Sequence, residues 1–553
     1  MMNDAPDVRV AAAPRASEMR SDARWRLASR ILLAATLLLI AVTFRDYGMT
    51  WDEEHSSNNG RFWVQWYASG FSDRSFEQDN QRLYGSLFNG PTRLLSERSP
   101  LGLIETGHLI SALVGWVALW AACGLATHLM GARAGFFAAL ALVLTPGWYG
   151  HTFNNPKDVP FAVLFVVALW AIAATYRSLP RPRLAQTLLV GLTIGLALGV
   201  RVGAIVLLGC YAMLFVCWLY ARVRSGGYAW GSLGRDTLLF AVSSLGALLI
   251  AWLVMLPWWP YAQLAPIANT IEALKESARF QFTAVVLYHG GFLPAQDLPW
   301  HYLPRWFSKT LPDFYLALLL GVGVVALVER LRAGAPTRRH DLHAQLAFVA
   351  VAAIGLPTAA VLTKAVMYDA YRHFLFAIPP LAVLAGCGVS WLLDRPARPM
   401  QAAVLGISCL LAVVTLADMI ALHPYQTVYF NRLNGGLPKA AGRYETDYWG
   451  ASHREGVEWL AANYRPDAAP QSIRVANSAV ETFTGYYIRG GGERMRRFVS
   501  VEPSAAPDVV LSITRWKLHE HYKGRVIHTI TRMGVPLLYV IEMPKAEQAS
   551  ARE

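Results

Sequence analysis

The stretch RILLAATLLLIAVTFRDYGMTWDEEH, residues 30–55, carries three signals in succession. A basic flank ending at Arg30 leads into an apolar run from Ile31 to Phe44, and the chain then turns polar and reaches the acidic cluster Trp51-Asp52-Glu53-Glu54-His55. A helix of about 20 apolar residues crosses a hydrocarbon layer of about 30 Å, and a basic flank keeps that end cytosolic. The run lacks a small-residue cleavage site and reads as a retained signal anchor. Asp52 and Glu53 then stand just beyond the opposite membrane face, where an ionised group beside hydrocarbon is costly unless it is paired or used.

Outward from this stretch the same pattern recurs. Of 553 residues, 54% are hydrophobic and 16% charged, with a mean hydropathy of +0.32, whereas soluble chains carry about 25% charged residues. Apolar runs at 27–45, 107–129, 133–148, 159–176, 185–200, 203–221, 237–258, 310–328, 344–363, 373–392 and 401–422 predict a polytopic α-helical membrane protein of about eleven spans. The net charge of +13 would suit nucleic acid, but its placement argues against that partner. Arg9, Arg15, Arg20, Arg24, Arg26 and Arg30, then Arg133, Arg177, Arg181, Arg183, Arg222, Arg224 and Arg235, then Arg330, Arg332, Arg338, Arg339, Arg395 and Arg398 all fall on one side of the alternating spans, as the positive-inside rule requires. An odd number of crossings puts the two chain ends on opposite sides.

The expected organisation is therefore a cytosolic basic tail over 1–26, a transmembrane domain over 27–422, and an extracytoplasmic domain over 423–553. Two outer loops, 46–106 and 259–309, are rich in Trp, Tyr and Phe and read as interfacial. The last domain reads as small and α/β: a helix near 454–464 and strands near 472–476, 497–501, 508–514, 525–531 and 536–542, the last two a hairpin through Gly534. The five cysteines lie in apolar segments with no CxxC pair, so no disulfide framework is expected.

Ionisable residues at the outer ends of spans are the candidates for chemistry. Asp52 and Glu53 suit a helix start, where acids favour the dipole, and equally a general base at the membrane surface. Asn154-Asn155-Pro156-Lys157-Asp158 opens another span on the same face. Asn155 can cap, Pro156 can start the helix and Asp158 can sit in its first turn, yet the surplus polarity exceeds what a cap needs. Arg201, Arg372 and His373 are cations against the inside bias, whereas Lys364 reads as a snorkelling side chain. A guanidinium such as that of Arg372 can grip a phosphate with two parallel hydrogen bonds, and Lys157 and Arg201 add to an anionic-headgroup site. No Gly-Lys dipeptide and no H-E-x-x-H is present, which removes a Walker A loop and a zincin site. Asp52, Glu53 and Asp158 are of the type that holds a divalent cation, without establishing one.

These pieces, in order, resemble the GT-C glycosyltransferase superfamily, near the family 39 group of protein O-mannosyltransferases and aminoarabinose transferases. The matching residues are Asp52-Glu53 after the first span, Asp158-Val159-Pro160 at the fourth, and the run from Tyr371-Arg372-His373 to Pro379-Pro380. The segments 423–431 and 442–450 also look like those of bacterial relatives. The resemblance covers roughly residues 27–425. It implies transfer of a sugar from a polyprenyl-phosphate donor, usually with inversion, to an acceptor outside the cytoplasm: a glycolipid, a polysaccharide or a protein. It implies Asp52 as catalytic base with Glu53 as its partner and Asp158 as a third catalytic residue shaping the sugar or acceptor pocket, where His55 and Asn155 are also expected. Arg372, Arg201, Lys157 and His373 are implied around the donor phosphate. It places the protein in the bacterial inner membrane. A carrier or flippase for lipid-linked sugars shares the same headgroup chemistry and is the competing expectation.

Overall fold

The computed structural model describes residues 16–226, 228–278, 282–333, 340–395, 399–465, 467, 469–479 and 481–544. Of the arginines that set the orientation, Arg9, Arg15, Arg338, Arg339 and Arg398 lie outside them. Helices stand at every one of the eleven expected positions, but they are unequal. Among the described residues eight are long and apolar enough to cross a membrane, or nine if the pair Tyr302–Thr310 and Asp313–Glu329, bent by 103°, is counted as one span. Ala132–Val143 and Leu184–Leu198 have 12 and 15 residues. At 1.5 Å per residue neither reaches 30 Å alone, so the count of eleven full spans is not met. The expected 133–148 span stops early because Pro146 cannot continue the preceding helix and starts a new one, Pro146–Asn154.

The bundle interior is lined by small residues. Ala118, Ala122, Ala126, Ala134 and Ala138 are fully buried, and a side chain on Gly386 would meet the Ala138 backbone nitrogen at 2.4 Å. Such stripes let helix backbones approach closely in a lipid-facing bundle. Outward-facing leucines such as Leu238, Leu245 and Leu249 are exposed, as expected of a surface whose solvent is hydrocarbon.

At one end of the bundle lie the connections that carry the candidate residues. The loop 46–106 holds two helices, Trp51–Ala68 and Asn89–Ser96. The loop 259–309 contains Ala268–Ala278 and an unforeseen antiparallel hairpin, β1 Val285–Tyr288 with β2 Gly291–Pro294.

After the last long helix, Pro399–Leu422, the chain runs over this same end before entering a five-stranded sheet of order β4-β3-β5-β7-β6. Its strands are β3 Ile473–Asn477, β4 Phe498–Ser500, β5 Val509–Ile513, β6 Arg525–Arg532 and β7 Val535–Glu542. The first three pair in parallel, and the β6–β7 hairpin adds antiparallel through β7. Every strand expected from the sequence is present to within a few residues. The hairpin turns at Gly534, whose φ of +77° is the left-handed conformation that glycine adopts freely.

The sheet domain is seated against the bundle rather than tethered to it. Ala451 lies so close to Gly48 that a β-carbon there would be 2.0 Å from the Ala451 carbonyl oxygen. Trp51 N donates to the Trp449 carbonyl at 3.1 Å, Met49 N to the Tyr487 hydroxyl at 2.7 Å, and Tyr486 Oη to Glu105 at 2.8 Å. Thr482 donates to Glu54 at 2.5 Å.

Candidate active site

The Trp51–Ala68 helix begins with a capping box. Thr50 N donates to Glu53 Oε2 at 2.6 Å and Thr50 Oγ1 to the same oxygen at 3.1 Å. Thr50 Oγ1 also donates to the Asn154 carbonyl at 2.7 Å, and Asn154 Nδ2 to the Gly48 carbonyl at 3.2 Å. These bonds tie the two acidic segments together although about 100 residues separate them. Glu53 points away from the other charges: its Oε1 stands 2.9 Å from His108 Nε2, with both side chains buried.

Asp52, one residue back and therefore about 100° around the helix, faces a different flank and different partners. Arg372 Nη1 donates to Asp52 Oδ2 at 2.8 Å and to Asp158 Oδ2 at 3.2 Å, and Arg372 Nη2 lies 3.1 Å from Asp369 Oδ2. Lys157 Nζ is 3.7 Å from Asp52 Oδ2, and Arg201 Nη1 donates to Asp158 Oδ1. Asn155 Oδ1 accepts from Asp158 N at 2.9 Å while its Nδ2 donates to Asp158 Oδ2 at 3.2 Å. Asn155 thus holds both the amide and the carboxylate of Asp158, but it does not cap the helix as expected: Asp158 is the first helical residue, Lys157 stands at the N-cap position and Pro156 lies in the turn before it. The fourth cation is Arg515 of the sheet domain, whose Nη2 donates to Asp369 Oδ1 at 2.7 Å.

The network joins four cations, Arg372, Arg201, Lys157 and Arg515, to three carboxylates, Asp52, Asp158 and Asp369. One positive charge is left over within it. Burial differs in a way that matters: the Arg372 side chain is 3% exposed, Lys157 16% and Arg201 20%. Arg372 is shared among three carboxylates, whereas Lys157 and Arg201 each have one and keep part of their surface open. Aromatic rings form the walls. Arg372 lies 4.9 Å from the Trp449 ring centroid and Lys157 4.7 Å from that of Tyr84, contacts that favour a cation over a ring face.

Burial alone would push the Asp52 carboxyl upward, but Arg372 and then Lys157 overcome it and hold it at about 2. Burial drives His151 down to about 3, so this imidazole, beside Asn155 and the Trp449 ring, stays neutral. Lys157 chiefly lowers Tyr84. The backbone before Arg372 is strained: Asp369 and Ala370 have φ of +53° and +62°, a region costing about 1–3 kcal/mol for non-glycine residues and found where surroundings over-determine the geometry.

Among the sequence-predicted residues, Asp52, Asp158, Asn155, Lys157, Arg201 and Arg372 are brought together. Glu53 sits on the other flank of its helix, His55 is exposed one turn further on, and His373 stands edge-on to Tyr368 with rings 4.5 Å apart. Lys364 is exposed and outside the cluster. Asp369, Arg515, Tyr84 and Trp449 were not anticipated; Asp369 had a signal, three residues before Arg372 in a span-end loop. Among the described residues no group of three or more His, Cys, Asp or Glu side chains is placed to hold a metal ion.

Fold and site together define a polytopic α-helical membrane protein with a charged cluster where one end of the bundle meets a seated α/β domain. The chain shares its fold with the aminoarabinose transferase ArnT from Cupriavidus metallidurans. In the crystal structure bound to undecaprenyl phosphate the TM-score is 0.50 at 14% identity, covering 93% of this chain and 98% of that one. The apo structure gives 0.50 at 15%, covering 94% and 98%. The archaeal oligosaccharyltransferase AglB from Archaeoglobus fulgidus, in complex with an inhibitory peptide and a dolichol-phosphate, gives 0.47 at 13%, covering 88% and 69%. No family model and no curated protein sequence matches the chain.

Proposed function

We propose that this chain is an integral-membrane glycosyltransferase that takes a sugar from a polyprenyl-phosphate donor. The N-terminus is cytosolic, and the Asp52 end and the sheet domain face the extracytoplasmic side of a bacterial inner membrane. The observation that carries the reading is Asp52 held between Arg372 at 2.8 Å and Lys157 at 3.7 Å, in a cluster with one surplus positive charge. ArnT, with the same fold, has been crystallised with undecaprenyl phosphate, a ligand of the chemistry that such a surplus suits.

In the proposed reaction an acceptor hydroxyl oxygen attacks the anomeric carbon, the bond from that carbon to the donor phosphate oxygen breaks, and the hydroxyl proton passes to Asp52. The leaving group is polyprenyl phosphate, already an anion, so it needs charge stabilisation rather than a proton. Lys157 and Arg201, the less buried cations, meet the phosphate, with Arg372 behind them holding Asp52 and Asp158 in place. At a pKa of about 2 Asp52 is always ionised but weakly basic. A phosphate arriving at Lys157 offsets part of the charge that depresses it, so basicity rises when donor is bound.

The test is incubation of pure protein in detergent with a polyprenyl-phosphate sugar and a panel of glycolipid, glycan and protein acceptors. Glycosylated product with release of polyprenyl phosphate is expected. Binding of the donor with no product from any acceptor, together with donor translocation in vesicles, would replace the enzyme with a carrier.

A further inference from the structure

The helix Tyr302–Thr310 stands at 103° to the apolar Asp313–Glu329 helix that follows it, so it runs along the membrane surface rather than into it. Its buried side carries Tyr302, Leu303, Trp306 and Thr310. Arg305 and Lys309, one turn apart, share another side, and the chain returning from the last long helix brings Lys439 and Arg443 up to them. Asn431 N donates to the Lys309 carbonyl at 2.7 Å, Lys309 Nζ to Asn434 Oδ1 at 3.3 Å, and Gly290 N to the Arg443 carbonyl at 3.0 Å.

The charges that act on Lys309 are Arg305, Arg443 and Lys439, all of its own sign. Among the described residues no carboxylate pairs with any of these four cations, whereas nearby Arg432 and Arg515 have Asp418 and Asp369. Partial burial, and after it Arg305, Arg443 and Lys309, hold the His289 imidazole below its usual value, so it stays neutral and accepts from Arg305. Four like charges held together without a counterion repel one another, and at the outer end of a span they also run against the orientation rule. An anion is the missing partner.

Depth decides which anion. Leu433 N donates to Asp313 Oδ2 at 3.2 Å, at the start of the apolar helix Asp313–Ala333 and so at the edge of the hydrocarbon. The Leu433 side chain is 74% exposed there, and Trp300, just before the surface helix, 73%. Cations bordered by bare Trp and Leu at this level meet a phosphate and the top of its acyl chains together. A water-soluble anion would leave both apolar groups uncovered.

We propose that Arg305, Lys309, Lys439 and Arg443 bind the phosphodiester headgroup of an anionic phospholipid, with Leu433 and Trp300 against its chains. The surface is separate from the Asp52 network: none of its cations pairs with Asp52, Asp158 or Asp369, and buried Tyr302, Trp306 and Tyr444 stand behind it. The binding is independent of the transferase reading. Only the leaflet, the extracytoplasmic one, rests on the orientation proposed above.

Lys439 and Arg443 are exposed, so Lys439→Gln with Arg443→Gln removes two charges without opening a core. Full-length protein in neutral detergent is titrated with phosphatidylglycerol, and with phosphatidylcholine of the same chains, by native mass spectrometry. Wild type is expected to bind phosphatidylglycerol at least fivefold more tightly, and the double variant to lose that preference. The rise in wild-type Tm on adding phosphatidylglycerol should shrink in high salt. Leu433→Ser, an exposed second variant, is expected to weaken the lipid several-fold without changing the affinity for its chain-free headgroup, glycerophosphoglycerol. Both variants keep wild-type turnover in the donor–acceptor assay.

An undiminished preference in the double variant, no preference in wild type, or chain-free headgroup binding as tight as the lipid overturns the surface. Displacement of phosphatidylglycerol by bare polyprenyl phosphate would merge it with the donor site, and displacement by dilute polyphosphate would assign it to a soluble polyanion; either result removes the phospholipid. Failure of the donor–acceptor assay leaves all these measurements standing, so the two readings fail separately.

Discussion

Arg515 Nη2 lies 2.7 Å from Asp369 Oδ1, both side chains about 5% exposed, joining the sheet domain to the charge network of the bundle across 146 positions of sequence. The other carboxylate oxygen of Asp369 faces Arg372, which in turn holds Asp52. Arg515 Nη1 also donates to the Tyr448 carbonyl at 2.7 Å, and its guanidinium lies 4.3 Å from the Trp516 ring centroid. The C-terminal domain therefore supplies a group on which the orientation of Arg372 depends.

Arg515→Ala leaves Asp369 buried with Arg372 as its remaining cation. Breaking a buried pair by removing one partner costs about 3–5 kcal/mol. The expected result is a clear fall in Tm and a fall in kcat of tenfold or more, with Arg515→Lys recovering part of the Tm and less of the rate because the planar fork is lost. Thermal unfolding and turnover on the same preparations check this. Wild-type kcat in the alanine variant would mean the domain is a passive neighbour.

Asp52→Asn keeps size and removes the charge. Loss of a positioned base lowers rate by about 10²–10⁴, so turnover is expected to drop by that range while the protein still folds and binds donor. The depressed folded pKa of about 2 sets the acid behaviour. A carboxylate of this kind contributes stability that is fully present above its unfolded value near 4 and is lost as pH falls towards 2. The stability gap between wild type and Asp52→Asn should therefore narrow only below about pH 4, and the kcat/KM profile should show no acid limb from Asp52 between pH 5 and 8.

Much of this arrangement was legible in the sequence. Hydropathy runs located every long apolar helix, and alternation with Gly534 located the sheet hairpin, because both depend on local pattern. The two acidic segments were legible too, since an ionisable residue at a span end must be paired or used. What escaped were partnerships made by distant packing. Nothing near Arg515 announces that it meets Asp369, and Glu53, adjacent to Asp52, turns to His108 because the capping box fixes its side. The Glu481–Gly490 helix, ETFTGYYIRG, was hidden by its glycine and its threonines, residues of modest helix propensity whose helix rests on tertiary contacts.

Glu445 gives a pH prediction of the opposite sign. Burial, partly offset by Arg515 and by a hydrogen bond from Leu287 N at 3.0 Å, raises its carboxyl to about 7. An acid whose folded pKa is raised is protonated more in the folded than in the unfolded state. Its unfavourable contribution is absent below the unfolded value near 4.3 and grows as pH rises to about 7. Glu445→Gln, which still accepts from Leu287, should flatten this decline, so that the variant gains on wild type in Tm between pH 5 and 8. Parallel Tm–pH curves would place the origin of the decline elsewhere.

Lys157 and Arg201 are the cations with surface to spare, at 16% and 20% exposure, and each is pinned by one carboxylate. If they receive the donor phosphate, their loss should appear in donor affinity before it appears in chemistry. Lys157→Met keeps the apolar stem over Tyr84 while deleting the charge, and is expected to raise the donor KM tenfold or more with a smaller change in kcat. Arg201→Gln should act in the same direction but also lower Tm, because Asp158 loses a buried partner. Arg372→Lys should do the reverse, lowering kcat more than it raises KM, since one ammonium cannot hold Asp52, Asp158 and Asp369 together. Steady-state kinetics with a defined polyprenyl-phosphate sugar separates these cases. A donor KM unchanged in both Lys157→Met and Arg201→Gln would move the phosphate away from this flank of the cluster.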